Sequence, residues 1–391
     1  MPVLNSIAAN NPEMTDWRRD FHTHPEIAYE EQRTAAIVAE KLESWGLEVH
    51  RGIAKTGIVG VLKVGEGTGT LGLRADMDAL PMQEQNDFAH KSTNPEAFHG
   101  CGHDGHTTML LGAARYLAET QQFDGTVHFI FQPAEEGEGG GERMVEEGLF
   151  ERFPCDEVYA LHNWPTMPAG QIGMRAGPVM AAADKFTIEI EGKGGHAAYP
   201  HATVDPVIIA AQLITAFQTL VSRSTSPLDC AVISTTTVEA GTAFNVIPGT
   251  VRLGGTVRTF KPEIQRAIHE GMARMTDQIC AAFGARGELN YLDGYPATIN
   301  HPTETEYAAE AACDVVGVEN VITDVEPSMG GEDFAYMLER RPGCYFFVGQ
   351  GGGPSDSMLH HPTYEFNDDI LPIGASMFAR LVERRLARPE G

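Results

Sequence analysis

The sequence predicts a two-part α/β protein: a domain built on a largely parallel sheet, interrupted by an inserted ferredoxin-like α+β domain. Three observations predict it. Apolar strand-like runs alternate with helical patterns through the first half of the chain. Near residue 184 the order becomes a self-contained βαββαβ run, and after Tyr295 the alternation resumes.

In chain order, residues 31–45 have helical spacing and stop at Gly46, a usual helix terminator. Strands are expected at 57–64, 71–75, 127–131 and 158–161, with helices at 107–120 and 142–148. In the insert, 185–191 alternates as a strand and 205–222 follows as a helix. Two long strands, 230–239 and 250–259, precede a helix over 262–283 and a closing strand over 287–292. The last part holds a helix near 303–316, a strand at 344–348 and a helix near 371–388. Gly-Pro near 180 and Tyr-Pro near 295 suit linkers. The expected domains are therefore 1–180 with 295–391, and an insert of 184–293.

Composition narrows the function. A chain of 391 residues suits two domains, and 42% hydrophobic with 21% charged residues is ordinary for a globular enzyme. The net charge of −26, from 28 basic and 54 acidic residues, repels phosphate backbones, so no nucleic-acid partner is expected. Six scattered cysteines lack the paired spacing of a secreted disulfide framework. The N-terminal stretch lacks the basic-then-apolar order of a secretion signal. No continuous apolar run approaches the ~18 residues of a membrane helix, so no membrane association is expected, and the expected compartment is the cytoplasm.

The chemistry gathers at the ends of strands. Residues 99–106 read HGCGHDGH, a thiolate and imidazoles among glycines just before a helix. Taken alone, this stretch also reads as a polar helix entry with a buried cysteine and a capping Asp104. QPAEEGEGGG at 132–141 follows an apolar strand, where open α/β sheets place their ligands. In extended backbone Glu135 and Glu136 would point opposite ways, one towards a metal and one handling protons. An acidic solvent loop explains that stretch equally well by itself. His162 in ALHNWP, RADMDALP at 74–81 and LHHP at 359–362 also follow strands. Their convergence on one predicted sheet edge fits metal-assisted hydrolysis, in which a carboxylate takes a proton from water and passes it to the leaving amine.

With these residues the chain resembles the aminoacylase and carboxypeptidase group of metallopeptidases, in the branch with hippurate hydrolase and the auxin-conjugate amidohydrolases. The resemblance spans nearly the whole chain and rests on RADMDALP, HGCGHDGHT, QPAEEG, GKGGHAAYPH, GTAFNVIPG, GTVRTF, MGGEDF and LHHPTYEFND, in that order. It implies metal ligands at Cys101, His103, Glu136, His162 and His360. His360 is chosen over His361 because the family pattern is Leu-His-x-Pro. It implies Glu135 as general base and acid, and Asp78 as the carboxylate behind a metal-site histidine. In the insert, a lid and dimerisation domain by resemblance, His196 would reach the neighbouring subunit's site and polarise the scissile carbonyl. Asn245 and Arg258 would lie near the substrate. The implied cofactor is a divalent metal, two ions per subunit, zinc or manganese with cobalt or nickel left open.

The resemblance further implies a homodimer through the insert, with a higher oligomer left open, and a metal-dependent amidohydrolase of N-acyl-L-amino acids. The alternative substrate class is small unblocked peptides, cleaved by a dipeptidase or carboxypeptidase. A metal-binding protein without activity and a Cys101 nucleophile are the remaining readings. One departure stands out: many relatives carry His-x-Asp where this chain has Asp76-Met-Asp78.

Overall fold

Apolar residues on both faces of the strands make the first sheet a buried one, and helices cover it. The computed structural model describes residues 4–353 and 357–388. In chain order come α1 (Asn5–Ala9), α2 (Asn11–Thr23), α3 (Gln32–Ser44), β1 (Glu48–Ile53), β2 (Gly57–Val64) and β3 (Thr70–Asp76). Next are α4 (His103–Thr120), β4 (Gly125–Gln132), α5 (Gly140–Glu146), α6 (Leu149–Arg152), β5 (Glu157–Pro168), β6 (Ile172–Gly173) and β7 (Gly177–Met180). The middle of the chain gives β8 (Ala182–Glu191), β9 (Gly195–His196), α7 (Pro206–Thr219), β10 (Ala231–Ala240), β11 (Val246–Ile247), β12 (Thr250–Thr259), α8 (Pro262–Ala282) and β13 (Arg286–Tyr295). The rest comprises β14 (Thr298–Asn300), α9 (Pro302–Val316), β15 (Val321–Ile322), α10 (Ala335–Leu338), β16 (Gly343–Gly351) and α11 (Leu371–Arg385).

The chain divides into two units. The first holds Met1–Val179, Ile299–Glu326 and Asp333–Gly391; the second holds Met180–Thr298 and Pro327–Glu332. The sequence reading kept everything after 295 in the first domain. The short return of 327–332 has a simple cause, because Ala181 N–H bonds the carbonyls of Ser328 (3.1 Å) and Gly330 (2.9 Å).

In the first unit the eight-stranded sheet has the order β1-β2-β4-β3-β5-β16-β6-β15. Its centre, β4, β3, β5 and β16, is parallel. The antiparallel pairs lie towards the edges, β1 on β2, β2 on β4 and β6 on β16. Leu71, Leu73, Val127, Phe129 and Phe131 from the sheet share one buried core with Leu110, Leu111, Phe378 and Leu381 from α4 and α11. The register sets up the site. Arg74 faces Ala160, so Asp76 and His162 each stand two residues past a common rung, and Asp76 faces Gln132.

The N-terminal helices and β1 lie outside the sequence expectation. Helix α2 buries Arg18 and His22 as well as Phe21, and these partnered polar side chains blur its apolar stripe. Strand β1 is largely exposed and lacks alternation.

In the second unit a four-stranded antiparallel sheet has the order β10-β12-β8-β13, the ferredoxin-like arrangement. Phe186, Ile188 and Ile190 alternate inwards from β8 and meet Ile209, Leu213 and Phe217 of α7 and Ile268 and Met272 of α8. Helix α7 runs on through a π turn to Ser224. The 19 residues Pro206–Ser224 are long and apolar enough to cross a membrane by length and composition alone, although they form no continuous apolar run. Gln212 and Gln218 interrupt that run, while the inward face packs on the sheet. All six cysteines are free thiols.

Candidate metal centre

Glycine brings the first two candidate ligands to one point. Gly102 is left-handed, at φ 93°, and precedes α4. A Cβ there would lie 2.4 Å from Asn163 Oδ1, so no other residue fits this turn without a shift. Cys101 and His103, on either side of it, are both buried. Cys101 Sγ lies 3.4 Å from His162 Nε2. The other ring nitrogen of His162, Nδ1, donates to the Asn163 carbonyl at 2.7 Å, which turns Nε2 towards the thiol.

His103 is aimed in the same way. Its Nδ1 lies 2.9 Å from the Asp78 carbonyl and 3.2 Å from Asp78 Oδ1. Its Nε2 is buried without a hydrogen bond, 4.0 Å from Glu136 Oε1. Asp78 Oδ2 accepts the Glu136 N–H at 3.0 Å, so one carboxylate braces two candidate ligands.

The two glutamates do not sit in extended backbone as the sequence suggested. Strand β4 ends at Gln132, and Ala134, at φ 56°, turns left-handed before them. The turn, rather than strand alternation, sets the two side chains' directions. Glu135 is buried, and one of its oxygens shares a group with ligand atoms of His103 and Glu136, all within 4.8 Å. His360 also has positive φ, 63°, and its N–H bonds the Gly100 carbonyl at 2.8 Å. Its Nε2 is 3.1 Å from Glu136 Oε1, an atom with no hydrogen bond of its own. His361 instead places Nδ1 2.8 Å from the Thr363 hydroxyl.

Cys101, His103 and His162 form one close ligand group; Cys101, Glu136 and His360 form another. A group of Asp76, His103 and His106 is equally tight. Both Asp76 oxygens are engaged there, by His106 Nδ1 at 2.6 Å and Arg74 Nη1 at 2.7 Å, so Asp76 serves the framework. His106 in turn places Nε2 2.7 Å from Asn163 Oδ1, and Asn163 Nδ2 donates to Tyr364 and Gln350. Arg74 also donates to Gln132 and Asp333. The sequence reading gave this buried frame no role. Arg74, Asp76, His106 and Asp333 of this frame lie in RADMDALP, HGCGHDGHT and MGGEDF, so part of the signal was present in the spacing of His106 three residues after His103.

Electrostatics fit a cation. Burial pushes the Cys101 thiol well up, and the nearby Glu136, Glu135 and Asp76 add to it. Burial pulls His103 down, but Asp76 and Asp78 outweigh it and push the ring up to about 10. Burial holds His162 well below its usual range, with His106 adding to it. Buried polar atoms left without a hydrogen bond are costly. Here His103 Nε2 and Glu136 Oε1 face each other beside a thiol and a second imidazole, and this S, N and O donor set fits a divalent transition metal.

The remaining expected residues belong to the second unit. His196 is exposed; its Nδ1 accepts the Ala198 N–H at 3.1 Å, which puts the neutral ring's proton on Nε2. The Asn245 carbonyl accepts the Ala197 N–H at 3.0 Å, bringing these two loops together. Arg258 lies apart from them on β12, half-buried, with Nη1 donating to the Val257 carbonyl at 3.1 Å. Burial lowers its pKa.

Comparison with known proteins gives a consistent picture. The model of peptidase family M20/M25/M40 matches residues 72–384. The chain is 39% identical to the hippurate hydrolase of Campylobacter jejuni over 386 residues, covering 99% of this chain and 100% of that protein. It is 38% identical to an N-acetylcysteine deacetylase of Bacillus subtilis, covering 94% and 95%. Among solved structures it is similar to a dinuclear metal-binding M20 peptidase of Bacillus subtilis, with 35% identity, a TM-score of 0.84 and coverage of 97% and 99%.

Proposed function

The chain belongs to peptidase family M20/M25/M40, and from that premise we propose that it hydrolyses the amide bond of N-acyl-L-amino acids at a divalent metal centre. The observation that carries the reading is the convergence of Cys101, His103, Glu136, His162 and His360 beside Glu135. Hippurate and N-acetylcysteine, the substrates named for two relatives, are both N-acyl amino acids.

Cys101, His103, Glu136, His162 and His360 would hold the metal. When bound, a divalent ion supplies Lewis acidity, making hydroxide available near neutral pH and polarising an amide carbonyl. Two overlapping donor groups exceed what one tetrahedral ion needs, which supports two ions per subunit. The mixed donors favour zinc or manganese, with cobalt or nickel as further candidates. Glu135 takes the proton of the attacking water and returns it to the leaving amine. Asp78 accepts from His103 Nδ1, which leaves Nε2 as the ring atom turned to the metal site and fixes its direction.

His196, with its proton on Nε2, suits donation to the developing oxyanion, and Arg258 suits the substrate carboxylate. We assign Asn245, beside His196, to substrate contact. A homodimer through the inserted unit is supported by its exposed apolar side chains, Phe244, Val246, Val238 and Ile208, and by β10 standing at a sheet edge. Six free thiols suit a reducing compartment, and a cytoplasmic location is part of the proposal. Turnover of N-acetyl, N-benzoyl and unblocked dipeptide substrates, each with zinc, manganese, cobalt and nickel, tests the reading. Preference for unblocked peptides would overturn it.

A further inference from the structure

Six non-glycine residues in the described chain have left-handed backbone: Tyr29, Ala54, Lys55, Gln121, Ala134 and His360. Two of these, Tyr29 and Ala134, bond directly to one side chain that no ligand group includes, Glu31, and two more, Ala54 and Lys55, immediately precede Thr56, which also bonds to it. Glu31 is fully buried. Its Oε1 accepts the N–H of Tyr29 at 3.0 Å and the N–H of Ala134 at 3.0 Å. Its Oε2 accepts the Thr56 hydroxyl at 2.5 Å, and the Thr56 N–H bonds back to the Ala54 carbonyl at 3.0 Å. Left-handed backbone is disfavoured for residues with a Cβ and persists where its surroundings over-determine it.

The position of Glu31 sharpens the point. It stands at the N-cap of α3 but makes no capping bond. The amides of Arg33 and Thr34 go instead to Glu26, at 2.9 and 2.8 Å. A carboxylate at a helix N-terminus ordinarily caps it. Here the capping duty falls to another glutamate, and Glu31 turns to the segment that follows β4.

We infer that Glu31 is the positioning residue of the 133–136 turn: its carboxylate holds Ala134 left-handed and thereby aims Glu135 and Glu136 at the centre. Asp78 secures the same turn from the other side, through the Glu136 N–H. The inference rests on the proposed role of Glu135 for its consequence in catalysis, while the geometric part stands on the turn alone. Glu31 touches neither substrate nor metal in this scheme. A carboxylate that merely braced the N-terminal helices would alter stability and leave the turn and kcat alone.

The test combines hydrogen exchange with steady-state kinetics on the full chain. In E31A, amides of 134–137 should exchange about tenfold or more faster, with β3 and α4 unchanged. The kcat should fall by about tenfold to a hundredfold while KM stays within about threefold. E31Q should restore both, since its amide oxygen accepts the two N–H donors and its amide nitrogen meets the Thr56 hydroxyl. A134G added to E31A should recover part of kcat, because glycine takes this backbone without penalty. E31D, which withdraws the carboxylate by one methylene, should shift exchange and kcat the same way and serves if E31A does not fold. Wild-type exchange at 134–137 in E31A or E31D, or E31Q as defective as E31A, would overturn the inference. Failure of the amidohydrolase reading is distinct: the wild type would lack turnover while the exchange contrast persisted.

Discussion

His103 Nδ1 is held by both the backbone carbonyl and the side chain of Asp78, at 2.9 and 3.2 Å, so that its Nε2 faces Glu136 without a hydrogen bond. One residue thus fixes the ring's tautomer and its direction. Removing the carboxylate by D78A should weaken metal affinity by about 10–100-fold. D78N, which can still accept at one oxygen, should lose less. Competition against a chromophoric chelator measures both; equal affinity in D78A and wild type would dissociate Asp78 from the centre.

Glu135 separates chemistry from metal binding. E135Q preserves the shape of a buried side chain and removes its basicity. Turnover should fall by about 10²–10⁴-fold, with metal content per subunit unchanged by elemental analysis. Lost metal together with lost turnover would make Glu135 a ligand instead.

Burial pushes the Cys101 thiol well above its usual range, which makes it a poor nucleophile when no ion is bound. Chelation should therefore abolish turnover and lower Tm, and a divalent ion should restore both. Activity surviving chelation, but lost to a thiol reagent, would favour the cysteine nucleophile.

The candidate ligands were legible because their motifs follow apolar runs, although β5 continues past His162 to Pro168. RADMDALP, QPAEEG and ALHNWP each follow an apolar run, and the sheet register then puts Asp76, Gln132 and His162 at one edge. What escaped the sequence reading lies in long-range pairing. Arg18 reaches Asp368, and Glu31 reaches Ala134 across 103 positions of sequence. Neither has a local pattern, since a buried ion pair looks like a surface charge until its partner is known. The direction of Glu135 and Glu136 was misattributed for a related reason. A left-handed alanine has no sequence signature, because its strain is held by a distant carboxylate.

Stability should fall on the acid side of neutrality. Burial pushes His128 down from 6.5 to about 4. Burial, with Arg18 and His22 beside it, does the same to His90, again to about 4. Between these values the unfolded chain binds protons that the folded chain refuses, so stability drops as pH falls from about 6.5 to about 4. His22 works in the opposite window. Burial opposes its charge, but Asp104 and Glu84 raise its pKa, so its contribution is complete below 6.5 and is lost as pH rises through its folded value. Calorimetric Tm across this range should show the acid slope, shallower in H128L. An unchanged slope in H128L would remove His128 from the account.

Whether His196 acts across a subunit boundary can be decided by mixing two inactive proteins. I208D puts a charge on the exposed outer side of α7, where Ile208 is 52% accessible, and should yield a monomer by light scattering with reduced kcat. H196A should remain dimeric, bind metal fully and lose turnover, because it removes only the Nε2 donor. In a mixed dimer of E135Q and H196A, action in trans gives one site with both Glu135 and His196 intact. Action in cis leaves each site with one defect. After subunit exchange, a trans arrangement should therefore restore about a quarter of wild-type activity, the share expected from random pairing with one competent site per mixed dimer. Absence of any recovery, with exchange verified by mass-labelled subunits, would place His196 in its own subunit's site or outside catalysis altogether.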